Sequence, residues 1–370
     1  MEFLVKKVNT LSIFARVRKS RTNQFKQCNG GNKMKSSVLA VGATIAVLLG
    51  TGVSAPAIAG NLPDSMAKPG GFPERPMTMI VPYGPGGGSG QVSRAMIQGV
   101  KDASGIVINP DYKPGGSGIV GLKTYMAAPT DGYTVLEHID DATSAFAAGR
   151  SKIHPAKDLI PLVISQITFS QIYIRSNETR FNDWASFVAY AKKAGGKATI
   201  ANVAGEGSME RINMNRTAQH FGFKIQQVSF DKGGPRYGAL KGGQVDALFE
   251  QPGDVRGFLE SGDFKPIMTY LKKRPSAFAN VPSMTDIGLT FTPLMRFRGF
   301  YVHKGAPADR VEYLKWAFQK GFSEGSYQAF NKKKFMDLIP SFRDTEGAIK
   351  LINDTMKIYR KTYKEMGLIK

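Results

Sequence analysis

In this 370-residue sequence the residues whose types and spacing could do chemistry are glycines, gathered in three turns. The turns are Gly84-Pro85-Gly86-Gly87-Gly88-Ser89-Gly90, Lys113-Pro114-Gly115-Gly116-Ser117-Gly118 and Ala204-Gly205-Glu206-Gly207-Ser208. Glycine lets a backbone come close to a ligand and turn several amides toward it. A helix N-terminus behind such a turn adds about half a positive charge. Strand, glycine turn and helix then make an anion site suited to a carboxylate or a phosphate. A P-loop would close with Lys and Ser/Thr, whereas Gly90 runs into Gln91-Val92. A dinucleotide fingerprint fails at Ser89.

Catalytic constellations are scarce. His138, His154, His220 and His303 are the four histidines, and no two stand at metal-ligand spacing. No G-x-S-x-G elbow occurs. Asp140-Asp141 after the run Thr134–Ile139 reads either as an acidic pair at a strand end or as a solvated loop. No cofactor and no metal are therefore expected.

The elements that must position these turns follow a rhythm. Met77–Tyr83 is an apolar, β-prone run before the first turn, and Gln91–Ala103 a helical stretch after it. Ile106–Asn109 predicts a second strand, Ile119–Ala128 a helix and Thr134–Ile139 a third strand. The rhythm returns with strand 198–203, helix 209–221, strand 224–228, helix 233–240 and strand 245–249. Helices are predicted at 310–320, 327–336 and 345–366. Strands alternating with helices predict parallel sheets with covered faces, in two α/β units.

The formal net charge of +21 raises the possibility of a nucleic-acid partner. Residues 1–59 hold nine Lys/Arg against Glu2 alone, and the rest carries 41 basic and 28 acidic residues. Those charges are dispersed rather than set on one element with interleaved aromatics, so no nucleic-acid footprint is expected. The apolar run Val38–Leu49 follows Lys35 and precedes Ala57-Ile58-Ala59, which together read as a cleavable secretory signal cut after Ala59. Translation is expected to begin at Met34, with residues 1–33 an over-extended start. No apolar run reaches the roughly 18–20 residues of a spanning helix. The single cysteine, Cys28, precedes the cut.

From Phe72 to Lys370 the chain resembles the tripartite tricarboxylate transporter substrate-binding proteins, the Bug family. The resemblance is carried, in order, by PERP at 73–76, MIVPYGPGG at 79–87, KPGGSG at 113–118, APTDGYT at 128–134, KGGQVDALF at 241–249 and NVPS at 280–283. It implies an α/β, two-lobed type II periplasmic-binding fold, each lobe a mainly parallel sheet flanked by helices. Lobe one is expected to combine 72–170 with 296–370, lobe two to cover 171–295, and 60–71 to be a lead-in. Chain crossings are expected near 165–174 and 295–301. The resemblance further implies a periplasmic, non-enzymatic receptor that hands a small organic acid to membrane permease subunits. Gly86, Gly87, Gly88 and Ser89 would cradle a carboxylate, with Tyr83 and Asp141 at the neighbouring strand ends. Ala204, Gly205, Gly207 and Ser208 would face it from lobe two, and Glu250, just past its strand, would read the far end of the ligand.

Departures are visible. Gly90 stands where the family has an aspartate, Tyr112 where it has an asparagine, and Arg211 where it has a histidine. Glu137, Asp140, Asp141, Glu206 and Glu250 predict an unusually acidic cleft that Arg211 would have to offset. That favours an amphoteric, amide or aromatic monocarboxylate ligand over citrate. Two other readings use the same features: an exported hydrolase with a carboxylate-lined cleft, and a periplasmic sensor that signals instead of transporting.

Overall fold

The computed structural model describes residues 62–369. The start at Met34, the signal segment and Cys28 lie outside them. The first half runs β1 (Met77–Val81), α1 (Gly88–Ser104), β2 (Ile108–Tyr112), α2 (Ile119–Met126), β3 (Thr134–Ile139), α3 (Asp141–Ala147) and β4 (Leu159–Thr168). It continues with β5 (Gln171–Arg175), α4 (Trp184–Lys193), β6 (Thr199–Asn202), α5 (Met209–Phe221), β7 (Gln226–Ser229), α6 (Gly233–Lys241), β8 (Ala247–Glu250), α7 (Arg256–Glu260) and β9 (Phe264–Thr269). The chain then returns through β10 (Arg296–His303) and ends in α8 (Ala308–Ser323), α9 (Gly325–Lys333) and α10 (Thr345–Glu365).

These strands form two five-stranded sheets with matching orders, β2-β1-β3-β10-β4 and β7-β6-β8-β5-β9. In the first, β1 pairs in parallel with β2 and β3, while β10 runs antiparallel to both β3 and β4. In the second, β6 pairs in parallel with β7 and β8, while β5 runs antiparallel to β8 and β9. Four strands of each sheet thus point one way and one is reversed. The fold is α/β, and the sheets are mixed through that one strand. Only Phe169 and Ser170 separate β4 of the first sheet from β5 of the second.

Element boundaries shift where the pattern was half-exposed. The strand expected at 106–109 is paired over Ile108–Tyr112, because β2 is an edge strand with exposed Asn109 and Pro110. Glu250 is the last residue of β8, opposite Gln171 on β5, rather than a residue beyond the strand.

The first turn is tighter than its sequence suggested. Helix α1 begins at Gly88, three residues before the expected Gln91, with extended Gly87 as its cap. No glycine from 84 to 90 takes a positive φ, so left-handed backbone is not what the turn requires; Gly88 and Gly90 are needed for their small size. A Cβ on Gly90 would overlap the backbone of Pro85. Behind the turn, Gly99 of α1 meets Gly321 of α8 backbone to backbone, so that a Cβ on either would overlap the other helix. Val92, Met96 and Val100 join Val311, Leu314 and Phe318 in the core over the first sheet, which fixes the α1 N-terminus at the sheet edge.

Candidate functional site

The carboxyl ends of β1 and β3, the α1 N-terminus and the reversed strand β10 meet the second lobe around a cavity of about 30 Å³. Tyr83, Gly87, Gly88 and Ser89 line it from the first lobe, and Val203, Asp231, Gly233, Arg236, Gln251 and Asp254 from the second. Arg296 and Arg298 form its floor on β10. The lobes touch directly beside it. Gly84 N donates to Asp231 O at 3.4 Å, and Gly205 N donates to Ser117 Oγ at 2.8 Å.

The expected site residues divide into two groups. Tyr83, Gly87, Gly88 and Ser89 surround the cavity. Gly86 lies on the exposed rim, and its carbonyl accepts from Gln91 Nε2 at 3.2 Å. The 204–208 turn is engaged elsewhere. Ala204 takes a left-handed φ of 63° and its carbonyl accepts from Ser229 Oγ at 2.5 Å. Gly207 O accepts from Tyr363 OH at 2.5 Å, and Ser208 caps α5. Asp141 and Glu250 are buried close by, outside the lining set, in a network of charges.

That network is what sequence reasoning missed. Arg296 Nη1 donates to Asp140 Oδ1 at 2.6 Å and lies 3.5 Å from Asp141 Oδ1, while Nη2 donates to Glu210 Oε1 at 2.9 Å. Arg298 donates to Gln166 Oε1 at 2.9 Å and Gln251 Oε1 at 3.1 Å, and ion-pairs with Asp254. Arg236 of α6 ion-pairs with Glu250, which also accepts from Tyr237 OH at 2.9 Å. Tyr83 donates to Asp141 Oδ2 at 3.1 Å and Tyr359 to Asp140 Oδ2 at 2.7 Å. Arg296 and Arg298 share one face of β10 by the two-residue period of a strand. Arginines at i and i+2 in an otherwise apolar, buried strand are costly unless paired, and that was the available signal. Arg211, the expected counter-charge, instead donates to Gln227 O at 2.6 Å and Ser229 Oγ at 2.7 Å, and Glu206 is exposed.

Six buried carboxyl groups (Glu137, Asp140, Asp141, Glu210, Glu250 and Asp254) therefore share three buried guanidinium groups. Burial pushes Asp140 up to about 6 and Glu210 up to about 7, against the pull of the arginines. Burial also raises Glu250 and lowers His138 to about 4, leaving the imidazole neutral. Protonation of part of the acid set brings the interior toward neutrality.

Glu137 is the extreme member. Both of its oxygens are buried without a hydrogen-bond partner, and burial pushes it up to about 7 although the charge of Arg298 favours its ionised form. Its folded pKa exceeds the unfolded value near 4.3, so the native state holds the proton more tightly. Its contribution is fully present below about pH 4 and is lost as pH rises to about 7. Glu137→Gln is expected to be near neutral at pH 4 and to stabilise by roughly 3 kcal/mol at pH 8. Urea unfolding at both pH values checks this; a gain independent of pH would contradict it.

Comparison with known proteins agrees with this architecture. The model of the tripartite tricarboxylate transporter family receptor matches residues 92–368. A UPF0065 protein from the gbd 5′ region of Cupriavidus necator is 23% identical over 301 residues, covering 81% of this chain and 90% of that protein. The structure of malate-bound MatC from Rhodopseudomonas palustris superposes with a TM-score of 0.70 at 21% identity, covering 79% of this chain and 99% of the other. The periplasmic binding protein BugD gives 0.71 at 21% identity, covering 80% and 99%.

Proposed function

Because the chain belongs to the tripartite tricarboxylate transporter receptor family, we propose that it is a periplasmic receptor that closes two lobes on a small carboxylate-bearing solute and delivers it to a membrane permease. The observation that carries this reading is the α1 N-terminus and its three small residues set against three buried arginines in a cavity between the lobes. Helix dipole and guanidinium groups both favour an anion there. Gly87, Gly88 and Ser89 are the cradle, with Tyr83 beside it. Arg236, Arg296 and Arg298 supply the charge that the carboxylates would otherwise oppose.

The volume of about 30 Å³ is close to that of one water molecule, so the lobes must part for a solute to enter. Hinge closure of this kind holds the ligand through contacts from both lobes. On this reading Asp141 and Glu250 hold the tyrosine and arginine side chains that face the ligand, and the 204–208 turn latches the lobes through Ser117 and Tyr363. Among the described residues no helix is long and apolar enough to cross a membrane.

Calorimetry against dicarboxylates, monocarboxylates, amino acids and amides is the direct test. At least one carboxylate is expected to bind with Kd at or below about 10 μM, as a site with charge-assisted hydrogen bonds permits. Hydrolysis of a bound compound would favour an enzyme instead. Unchanged solute uptake after gene deletion would favour a sensor.

A further inference from the structure

The cradle faces a carboxylate that belongs to the chain itself. Asp254 lies on the second lobe in Gln251-Pro252-Gly253-Asp254, the segment leaving β8. Its side chain ion-pairs with Arg298 of the first lobe, and the pair lies on the first residue of α1, where a Cβ on Gly88 would overlap Arg298 Nη2 and Asp254 Oδ2. Three further contacts seat this segment across the cleft. Gln91 Nε2 of α1 donates to Asp254 O at 3.3 Å, Lys334 Nζ donates to Gly253 O at 2.7 Å, and Gln251 Oε1 accepts from Arg298 at 3.1 Å.

The arginines around this carboxylate keep unused capacity. Arg298 Nε and Arg236 Nε are buried and without acceptors, and both residues line the cavity. The chain thus supplies one carboxylate to a set of donors that can hold more acceptor atoms. A carboxylate on a solute would meet the same guanidinium and the same helix end that Asp254 already holds.

We propose that Asp254 is a tethered carboxylate that holds the anion position on Arg298 and α1 when no solute is bound, and so sets the affinity that a solute must exceed. The inference rests on the receptor reading above and adds a determinant of its selectivity. A tethered group competes at an effective concentration set by its tether, in the millimolar range for short flexible segments. A receptor that is binding-competent one-tenth of the time shows one-tenth of its intrinsic affinity. The consequence is discrimination: a solute with two carboxylates, able to use the spare Arg236 donors as well as Arg298, displaces the latch, and a simple monoanion such as acetate does not.

The test pairs two measurements on purified protein and on Asp254→Asn, which keeps the shape and an acceptor for Arg298. Asp254→Ala serves as a second variant, with circular dichroism confirming that each folds. Small-angle scattering without solute is expected to give a compact wild type and a larger radius of gyration for the variants. Calorimetry with L-malate, succinate, adipate and acetate is expected to show at least about tenfold tighter binding of a dicarboxylate by the variants, and acetate binding appearing only in them. An expanded solute-free wild type that the substitutions leave unchanged overturns the proposal. So does weaker dicarboxylate binding by the variants, which would make Asp254 a ligand contact and leave the receptor reading standing. Binding of none of the four, nor of any monocarboxylate, amino acid or amide of the wider panel, by any protein, with the scattering difference present, upholds the latch and overturns the carboxylate-receptor reading.

Discussion

Replacing Arg296 with alanine is expected to destabilise the protein by about 3–5 kcal/mol, the cost of leaving buried charges without their partner. Arg296 is 1% exposed and is held by Asp140, Asp141 and Glu210, themselves buried. Removing the guanidinium leaves three buried carboxyl groups without their shared counter-charge. They can respond only by taking up protons, so their pKa values climb further above those that burial already sets. The loss is therefore larger at pH 8 than at pH 5, because neutralisation costs more where the unfolded chain stays ionised. The melting temperature should fall by roughly 5–8 °C for a chain of this size. Because Glu210 sits on α5 of the second lobe, the double variant Arg296→Met/Glu210→Gln should recover part of the loss. Equal, pH-independent losses in single and double variants would show that the carboxylates do not depend on Arg296.

The second large effect is on binding rather than stability. Gly233→Ala is expected to weaken solute binding by about 10–100-fold while leaving the fold intact. A Cβ at Gly233 would lie 2.6 Å from Gly87 Cα and 2.8 Å from Gly87 N. Both are backbone atoms on the opposite lobe, so neither can rotate aside. Gly233 opens α6, where alanine is the better helix former, so each lobe folds with the substitution in place. The overlap with Gly87 exists only when the lobes are closed, whereas the 3.1 Å approach to the Tyr237 ring within α6 needs only a small side-chain shift. Calorimetry with whichever carboxylate the wild type binds, together with a melting temperature, separates the two effects. Unchanged affinity would mean that closure to this distance plays no part in binding.

How much of this was legible in the sequence depended on the range of the interactions. The 113–118 turn is local, and the structure confirms its need for glycine, with φ of 139° at Gly115, 58° at Gly116 and 87° at Gly118. The alternation of strands and helices was legible for the same reason, since Thr134–Ile139 and Met209–Phe221 fall where periodicity put them. The charge network was not, because its partners are remote in the chain. Arg296 reaches Asp140 across 156 positions and Glu210 across 86, while Arg298 reaches Asp254 across 44. The sheet order that inserts β10 between β3 and β4 brings Arg296 to Asp140, and the apposition of the second lobe brings Glu210 and Asp254 to the same strand. The bonding of the 204–208 turn was not legible either, because its partners are remote: Ala204 and Gly207 both take a positive φ, and the turn's polar groups go to Ser117, Ser229 and Tyr363.

The two connections between the sheets are very unequal. β4 leads to β5 through Phe169 and Ser170 alone, while the way back from β9 to β10 takes the whole of 270–295. A two-residue link spans only about 7 Å at full stretch. On the receptor reading it serves as the pin of a door, whereas 270–295 is fastened to the second lobe, with Tyr270, Met284 and Leu294 buried and Leu294 held at both N and O by Asn213. The free edge then sweeps the widest arc for any given rotation. A pair of fluorescent labels reads the swing best when placed as far from Phe169 and Ser170 as each lobe allows, and a label near the pin should barely register a solute.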